Sequence, residues 1–241
     1  LGKKAQLIYY DHRGNGRSTK LDSFEEITHN TWLSDADALR AHLGHKKMIL
    51  IGHSYGGFLA QEYALQYPNR LDGLILSCTA PAVDYMDTII TNARSRGTSK
   101  QIRSFIKETS APLADDETWR QIWMDILPLY FKKYDPHLGD EMNRKMIYRA
   151  QALNHCVFNC MPRFNTLSRL REITTPTLNI AGRYDWITPP EKGAERIHAL
   201  LENSQLLVFE ESGHFPFIEE HDEFVAKVRN WVENLDRNPI I

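Results

Sequence analysis

Short apolar runs rich in β-branched and aromatic residues punctuate the chain. Gln6 to Asp11 (QLIYYD), Lys47 to Gly52 (KMILIG) and Leu71 to Ser77 (LDGLILS) each predict a buried strand. Between the first two, Trp32, Leu33, Ala36, Leu39 and Leu43 recur at helical spacing, and Gly44 follows as a C-terminal cap. Between the second and third, Phe58 to Tyr67 predicts a helix that Pro68 stops. Strands that alternate with helices and lack a polar face predict a parallel sheet covered on both sides, an α/β fold.

From Asp84 to Asn165 the pattern becomes helical and aromatic, with Trp119, Trp123, Tyr130, Phe131, Tyr134, Tyr148 and Phe158 and no convincing strand. The strand rhythm then returns at Thr177 to Ala181 and Gln205 to Phe209, separated by a helix from Pro190 to Leu200. Phe224 to Val232 predicts a closing amphipathic helix. The expected organisation is an α/β core over 1–83 and 166–241, split by a helical lid over 84–165.

Composition narrows the field without choosing within it. The 241 residues carry 29 basic and 31 acidic side chains, a net charge of −2, with no basic block. That gives no electrostatic footprint for nucleic acid or an anionic membrane, so a small-molecule partner is expected. Three cysteines, Cys78, Cys156 and Cys160, are too few for a disulfide framework, and a reducing, cytoplasmic setting is the default. No apolar run approaches the roughly 18 residues of a membrane helix.

The sharpest chemical signal is Gly52-His53-Ser54-Tyr55-Gly56-Gly57, a G-x-S-x-G pattern between a predicted strand and a predicted helix. A serine presented on so tight a turn needs small neighbours, and side chains at Gly52 and Gly56 are expected to collide across it. A serine nucleophile needs a histidine to take its proton and a carboxylate to orient that histidine. His214, just after the last strand, and Asp185, just after the preceding one, both reach the strand C-terminal edge where ligands collect. Asp84 is the alternative acid. His53 adjoins the nucleophile in a strained turn, so its side chain must diverge and is read as packing. Cys156 and Cys160, one helical turn apart beside His155, are read as core rather than as metal ligands. No cofactor or metal is expected.

These motifs resemble the α/β-hydrolase superfamily, and within it the branch of proline iminopeptidases and related carboxylesterases. Asp11-His12-Arg13-Gly14-Asn15-Gly16-Arg17-Ser18 is similar to that family's D-x-R-G-x-G-x-S turn, and Gly182-Arg183-Tyr184-Asp185-Trp186-Ile187-Thr188-Pro189 and Gly213-His214 complete the likeness. The resemblance implies Ser54 as nucleophile, Asp185 as acid, His214 as base, and the Tyr55 N–H as an oxyanion donor. It implies a structural role for the turn at Asp11 and Arg13. The chain starts at what would be the family's fourth strand, so the predicted strands at Gln6 and Lys47 would flank a gap. An N-terminal companion segment of about 40 to 60 residues that completes the sheet is therefore expected.

The resulting expectation is a serine hydrolase that cleaves a small carboxylic ester or amide through an acyl-enzyme. The lid would cover Ser54 and form an apolar substrate pocket, with Trp119, Trp123 and Trp186 as binding residues. The resemblance to proline iminopeptidases, which bind the substrate's free amine with lid carboxylates, implies a candidate for that role among Glu108, Glu117 and Glu141. Lactone cleavage and a non-catalytic binding protein on the same fold are the further alternatives.

Overall fold

The computed structural model describes residues 5–235. In chain order its elements are α1 (His29–His42), β1 (Met48–His53), α2 (Tyr55–Gln66), β2 (Leu71–Ser77), α3 (Met86–Arg96), α4 (Ser99–Ser110), α5 (Asp116–Ile126), α6 (Pro136–Lys145), α7 (Ala150–His155), β3 (Thr177–Gly182), α8 (Ala194–His198), β4 (Ser204–Phe209), α9 (Pro216–Glu219) and α10 (His221–Leu235). The strands form one four-stranded parallel sheet in the order β1-β2-β3-β4. Every crossover carries helices, as parallel pairing requires.

Local chemistry sets the helix limits. Thr28 and Thr31 form a capping box at the start of α1, and Gly44, at φ +79°, ends it by donating to the Ala41 carbonyl at 3.0 Å. The helix α2 begins at Tyr55, three residues before the apolar stripe, because the elbow turns straight into it, and it ends ahead of Pro68. The helix predicted from Pro190 is regular only over Ala194–His198; turns occupy the residues before it.

Side chains alternate along β2 to serve two layers. Leu74 and Leu76 enter a cluster with Trp32, Leu33, Leu59, Tyr63 and Ile197 beneath α1, α2 and α8. Ile75 turns the other way, to Leu178, Ile180, Phe209, Val228 and Trp231 beneath α10. The helices α3 to α7 enclose a third cluster built largely of aromatic rings. Their entry and exit meet where Ala82 bridges Asn165 antiparallel and Thr166 donates to the Pro81 carbonyl at 2.8 Å. Among the described residues, no helix is long and apolar enough to cross a membrane.

One predicted strand does not form. Gln6 to Asp11 joins no strand among the described residues, and Tyr9 is 83% exposed. β-propensity alone cannot hold a strand whose ladder has no partner. Among the described residues β1 pairs only with β2, so the sheet is open on that side, with Ile51 48% exposed. The turn that follows is built as the resemblance implied: Asp11 accepts from the Arg17 N–H at 2.9 Å, and a Cβ on Gly16 would fall 2.5 Å from the Asp11 Cγ. Arg13 grips Asp35 with two hydrogen bonds, one of 2.9 Å, and its carbonyl accepts from the Trp32 indole at 3.1 Å.

Trp231 fills the layer under α10 and presses on Gly73, where a Cβ would lie 2.9 Å from its Cη2 atom. Trp231→Ala should therefore lower unfolding free energy by about 3–5 kcal/mol in urea titrations, with little change in slope.

Candidate active site

Ser54 stands between β1 and α2 with φ 53° and ψ −121°, a left-handed backbone that an L-residue adopts only under constraint. Three hydrogen bonds supply that constraint. Its N–H donates to the Ser77 carbonyl at 3.0 Å, and its carbonyl accepts from the Gly57 N–H at 2.9 Å and the Thr79 hydroxyl at 2.8 Å. A Cβ on Gly52 would lie 2.7 Å from the Ala60 Cβ and closer still to the Gly56 carbonyl. The expected collision at Gly56 is absent: a Cβ there meets nothing within 4 Å, and the second crowded glycine is Gly57, whose Cβ would strike Thr79. The helix packs on the residues after β2 one position later than the pattern suggested.

Asp185 and His214 come together from the loops after β3 and β4. The Nδ1 of His214 donates to the Asp185 Oδ2 at 2.7 Å, with both side chains buried. The second Asp185 oxygen accepts from the Ile187 and Thr188 N–H groups at 3.1 and 3.0 Å, and the Thr188 hydroxyl donates to Oδ2 at 2.6 Å. Burial alone would raise this carboxyl; the attraction of His214 and the donors around it outweigh that and hold it below its ordinary value. Asp84, the alternative acid, is held by Arg196 through bonds of 2.7 and 2.9 Å.

His53 diverges from Ser54 as expected, but it does more than pack. Its Nε2 donates to the His214 carbonyl at 2.9 Å, and the two rings lie 4.6 Å apart, which brings His214 to the elbow. Burial, then the charge of His214, pushes His53 down to about 3, so it stays neutral. Among the described residues no hydrogen bond joins Ser54 to His214, a contact that often tightens only when substrate binds. The His214 N–H donates to the Tyr130 carbonyl at 2.6 Å, and Glu219 accepts from the Gly213 and Lys132 N–H groups, both at 2.7 Å. The histidine loop is thus fastened to the segment after α5.

Tyr55 sends its side chain away from this edge, where its hydroxyl meets the His29 Nε2 at 2.7 Å while the His29 Nδ1 meets Glu62 at 2.7 Å. Its N–H opens α2, where a helix leaves donors unpaired. The three tryptophans divide. Trp186 is fully buried between Phe105 and Tyr130, at ring separations of 5.0 and 5.4 Å, so it is a core residue rather than an open binding surface. Trp123 also meets Tyr130, at 5.1 Å, and Tyr130 stands edge-on to His214 at 5.2 Å. Trp119 leans on Tyr148 instead. All three indole nitrogens are buried without a hydrogen-bond partner among the described residues.

The lid carboxylates divide as well. Glu117 is bonded to Arg120 and Gln121, and Glu141 to Lys145, all at the surface. Glu108 alone is buried, 9% exposed, with no hydrogen-bond or ion-pair partner among the described residues, and desolvation raises it to about 7. It is near enough to Tyr130 for its charge to act on that hydroxyl. A cleft of about 900 Å³ opens elsewhere, beside His29, Glu62, Cys160 and Arg169, and none of Ser54, Asp185 and His214 lines it.

Such an edge, with a strained serine and a buried carboxylate–imidazole pair on a parallel sheet, defines a hydrolase. The chain belongs to the alpha/beta hydrolase fold family, which matches residues 1–221. It is similar to proline iminopeptidase PfmaB of Pestalotiopsis fici, 30% identical over 240 residues that cover 97% of this chain and 83% of that protein. A proline iminopeptidase of Saccharolobus solfataricus is 26% identical over 252 residues, 95% of this chain and 76% of that one. Among solved structures, an esterase from Exiguobacterium antarcticum superposes with a TM-score of 0.75 at 24% identity, covering 92% of this chain and 80% of that one, a likeness of fold.

Two outcomes test the site's construction. Gly56→Ala should be neutral or stabilising by up to about 1 kcal/mol in α2, whereas Gly57→Ala should cost about 1–3 kcal/mol in chemical denaturation. Glu108 makes stability pH-dependent: its folded value of about 7 exceeds the ordinary 4.5, so the fold binds that proton more tightly than the open chain. The site carries no penalty below pH 4.5 and loses stability as pH rises through 7. Glu108→Gln should therefore raise Tm by on the order of 5 °C at alkaline pH and by little in acid.

Proposed function

We propose that this protein is a serine hydrolase that cleaves a small carboxylic ester or amide through an acyl-enzyme on Ser54. The observation that carries the reading is the buried 2.7 Å contact of His214 Nδ1 with Asp185 beside the strained Ser54. Asp185 holds the proton on Nδ1, which leaves Nε2 bare to take the Ser54 hydroxyl proton. The serine oxygen attacks the carbonyl carbon, the Tyr55 N–H stabilises the oxyanion, and His214 returns the proton to the leaving group. Water then enters and gives a proton to His214 while its oxygen attacks the acyl carbon; the bond to the Ser54 oxygen breaks, and His214 returns that proton to Ser54 as the acid leaves.

A second reading rests on Glu108. A buried carboxylate with no cationic partner is costly unless a ligand supplies the charge. The free amine of an amino-terminal substrate would do so, one aromatic ring away from His214. The relatives named as proline iminopeptidases favour the same assignment.

Ser54→Ala should lower kcat/KM on an aryl acyl ester by at least about 10⁴-fold with circular dichroism unchanged. Retained turnover would remove the acyl-enzyme reading and leave a binding role. A prolyl arylamide then separates the two substrate classes: Glu108→Gln should cut its kcat/KM about 10²-fold and leave the acyl ester within about threefold. Equal effects on both substrates would discard the amine subsite.

A further inference from the structure

We propose that His53, Cys78 and His214 form a site for a thiophilic divalent cation such as Zn²⁺, and that its occupation shuts the enzyme down. Each of the three offers one ligand atom, and those atoms lie within 4.8 Å of one another. Two imidazole nitrogens and a thiolate are a donor set that Zn²⁺ and Co²⁺ bind tetrahedrally, with a fourth position left to water. Bonds of about 2.0–2.3 Å place tetrahedral donors roughly 3.3–3.6 Å apart, so side-chain rotations of about 1 Å close the site.

The fold sets these donors for reasons the reaction does not require. Cys78 follows β2 at φ 48°, a left-handed backbone fixed by its N–H bond to the Ile180 carbonyl at 2.8 Å. Its thiol is buried, and burial together with the nearby Asp185 charge keeps it protonated in the empty site. A cation reverses that balance: it replaces the thiol proton, which passes to solvent, and no electrons change hands. His53 is spent on one side only. Its Nε2 donates to the His214 carbonyl, and its Nδ1 has no hydrogen-bond partner among the described residues.

The inhibitory half of the proposal rests on His214 being the base, as proposed above. Either ring nitrogen serves the argument. Coordination through Nδ1 displaces Asp185, and coordination through Nε2 removes the lone pair meant for Ser54. Neither Cys156 nor Cys160 belongs to such a group of three among the described residues.

Co²⁺ reads occupancy without turnover, because a thiolate ligand gives a charge-transfer band in the near ultraviolet. The purified protein and Ser54→Ala should both develop that band on addition of Co²⁺, to one equivalent, and Cys78→Ser should not. Zn²⁺ should inhibit ester hydrolysis reversibly on chelation. Relative to each variant's own metal-free rate, Cys78→Ser and His53→Phe should need at least about tenfold more Zn²⁺ for half-inhibition. Absence of the band from folded wild-type protein, or its survival in Cys78→Ser, overturns the site. Equal Zn²⁺ sensitivity across the variants overturns it too, and does so through His53→Phe if Cys78→Ser fails to fold. Persistent turnover in Ser54→Ala would strike the acyl-enzyme reading alone, since Ser54 is no ligand and the cobalt band would be unchanged.

Discussion

A carboxylate and an imidazole buried against each other cost several kcal/mol in lost hydration unless every lone pair is answered, and the site is arranged around meeting that demand. Asp185 receives two backbone donors, a hydroxyl and the ring of His214. The loop after β3 must therefore fold tightly enough for Ile187 and Thr188 to turn back on the carboxylate. The approach of the neighbouring loop is equally constrained: a Cβ on Gly182 would overlap the Gly213 carbonyl. Glycine at 182 lets these two loop backbones touch, and glycine at 213, where a Cβ would strike the Tyr130 carbonyl oxygen, lets the histidine loop touch the segment after α5.

The same economy of space binds the helical segment 84–165 to the sheet. The Tyr130 carbonyl receives the His214 N–H, the Phe131 carbonyl and the Tyr184 carbonyl both accept from Arg96, and Glu219 collects backbone donors from both sides. Tyr130 itself is shared, with Trp123 and Trp186 on one side and His214 on the other. The helical segment 84–165 and the histidine loop are thus packed together, and the aromatic composition of that segment serves cohesion first.

Much of this was legible before any coordinates. Four of the five predicted strands form at β1 to β4 within a residue or so, because apolar runs bounded by turn formers have few other solutions. The elbow, Asp185 and His214 were legible because parallel strands deliver their following loops to one edge. The Gln6 to Asp11 run was misread since its residues describe a willing strand and say nothing of a neighbour. The burial of Trp186 is not legible in the sequence, since a ring beside the acid can face inward as readily as outward. The isolation of Glu108 left no trace at all: its neighbours in sequence, Lys107 and Thr109, are as polar as those of any surface helix. Cys78 was invisible for the related reason that its partners, His53 and His214, arrive from distant parts of the chain.

Among the described residues β1 is an edge strand. On the side away from β2, Met48–His53 has no paired strand among the described residues; Ile51 is exposed there, and Leu7, Ile8 and Tyr9 are exposed ahead of the turn at Asp11. Such an edge is a template for any extended backbone, including that of another molecule of the same kind. Among the described residues this is the side on which a further extended segment could continue the ladder, since the opposite edge of β1 is already taken by β2.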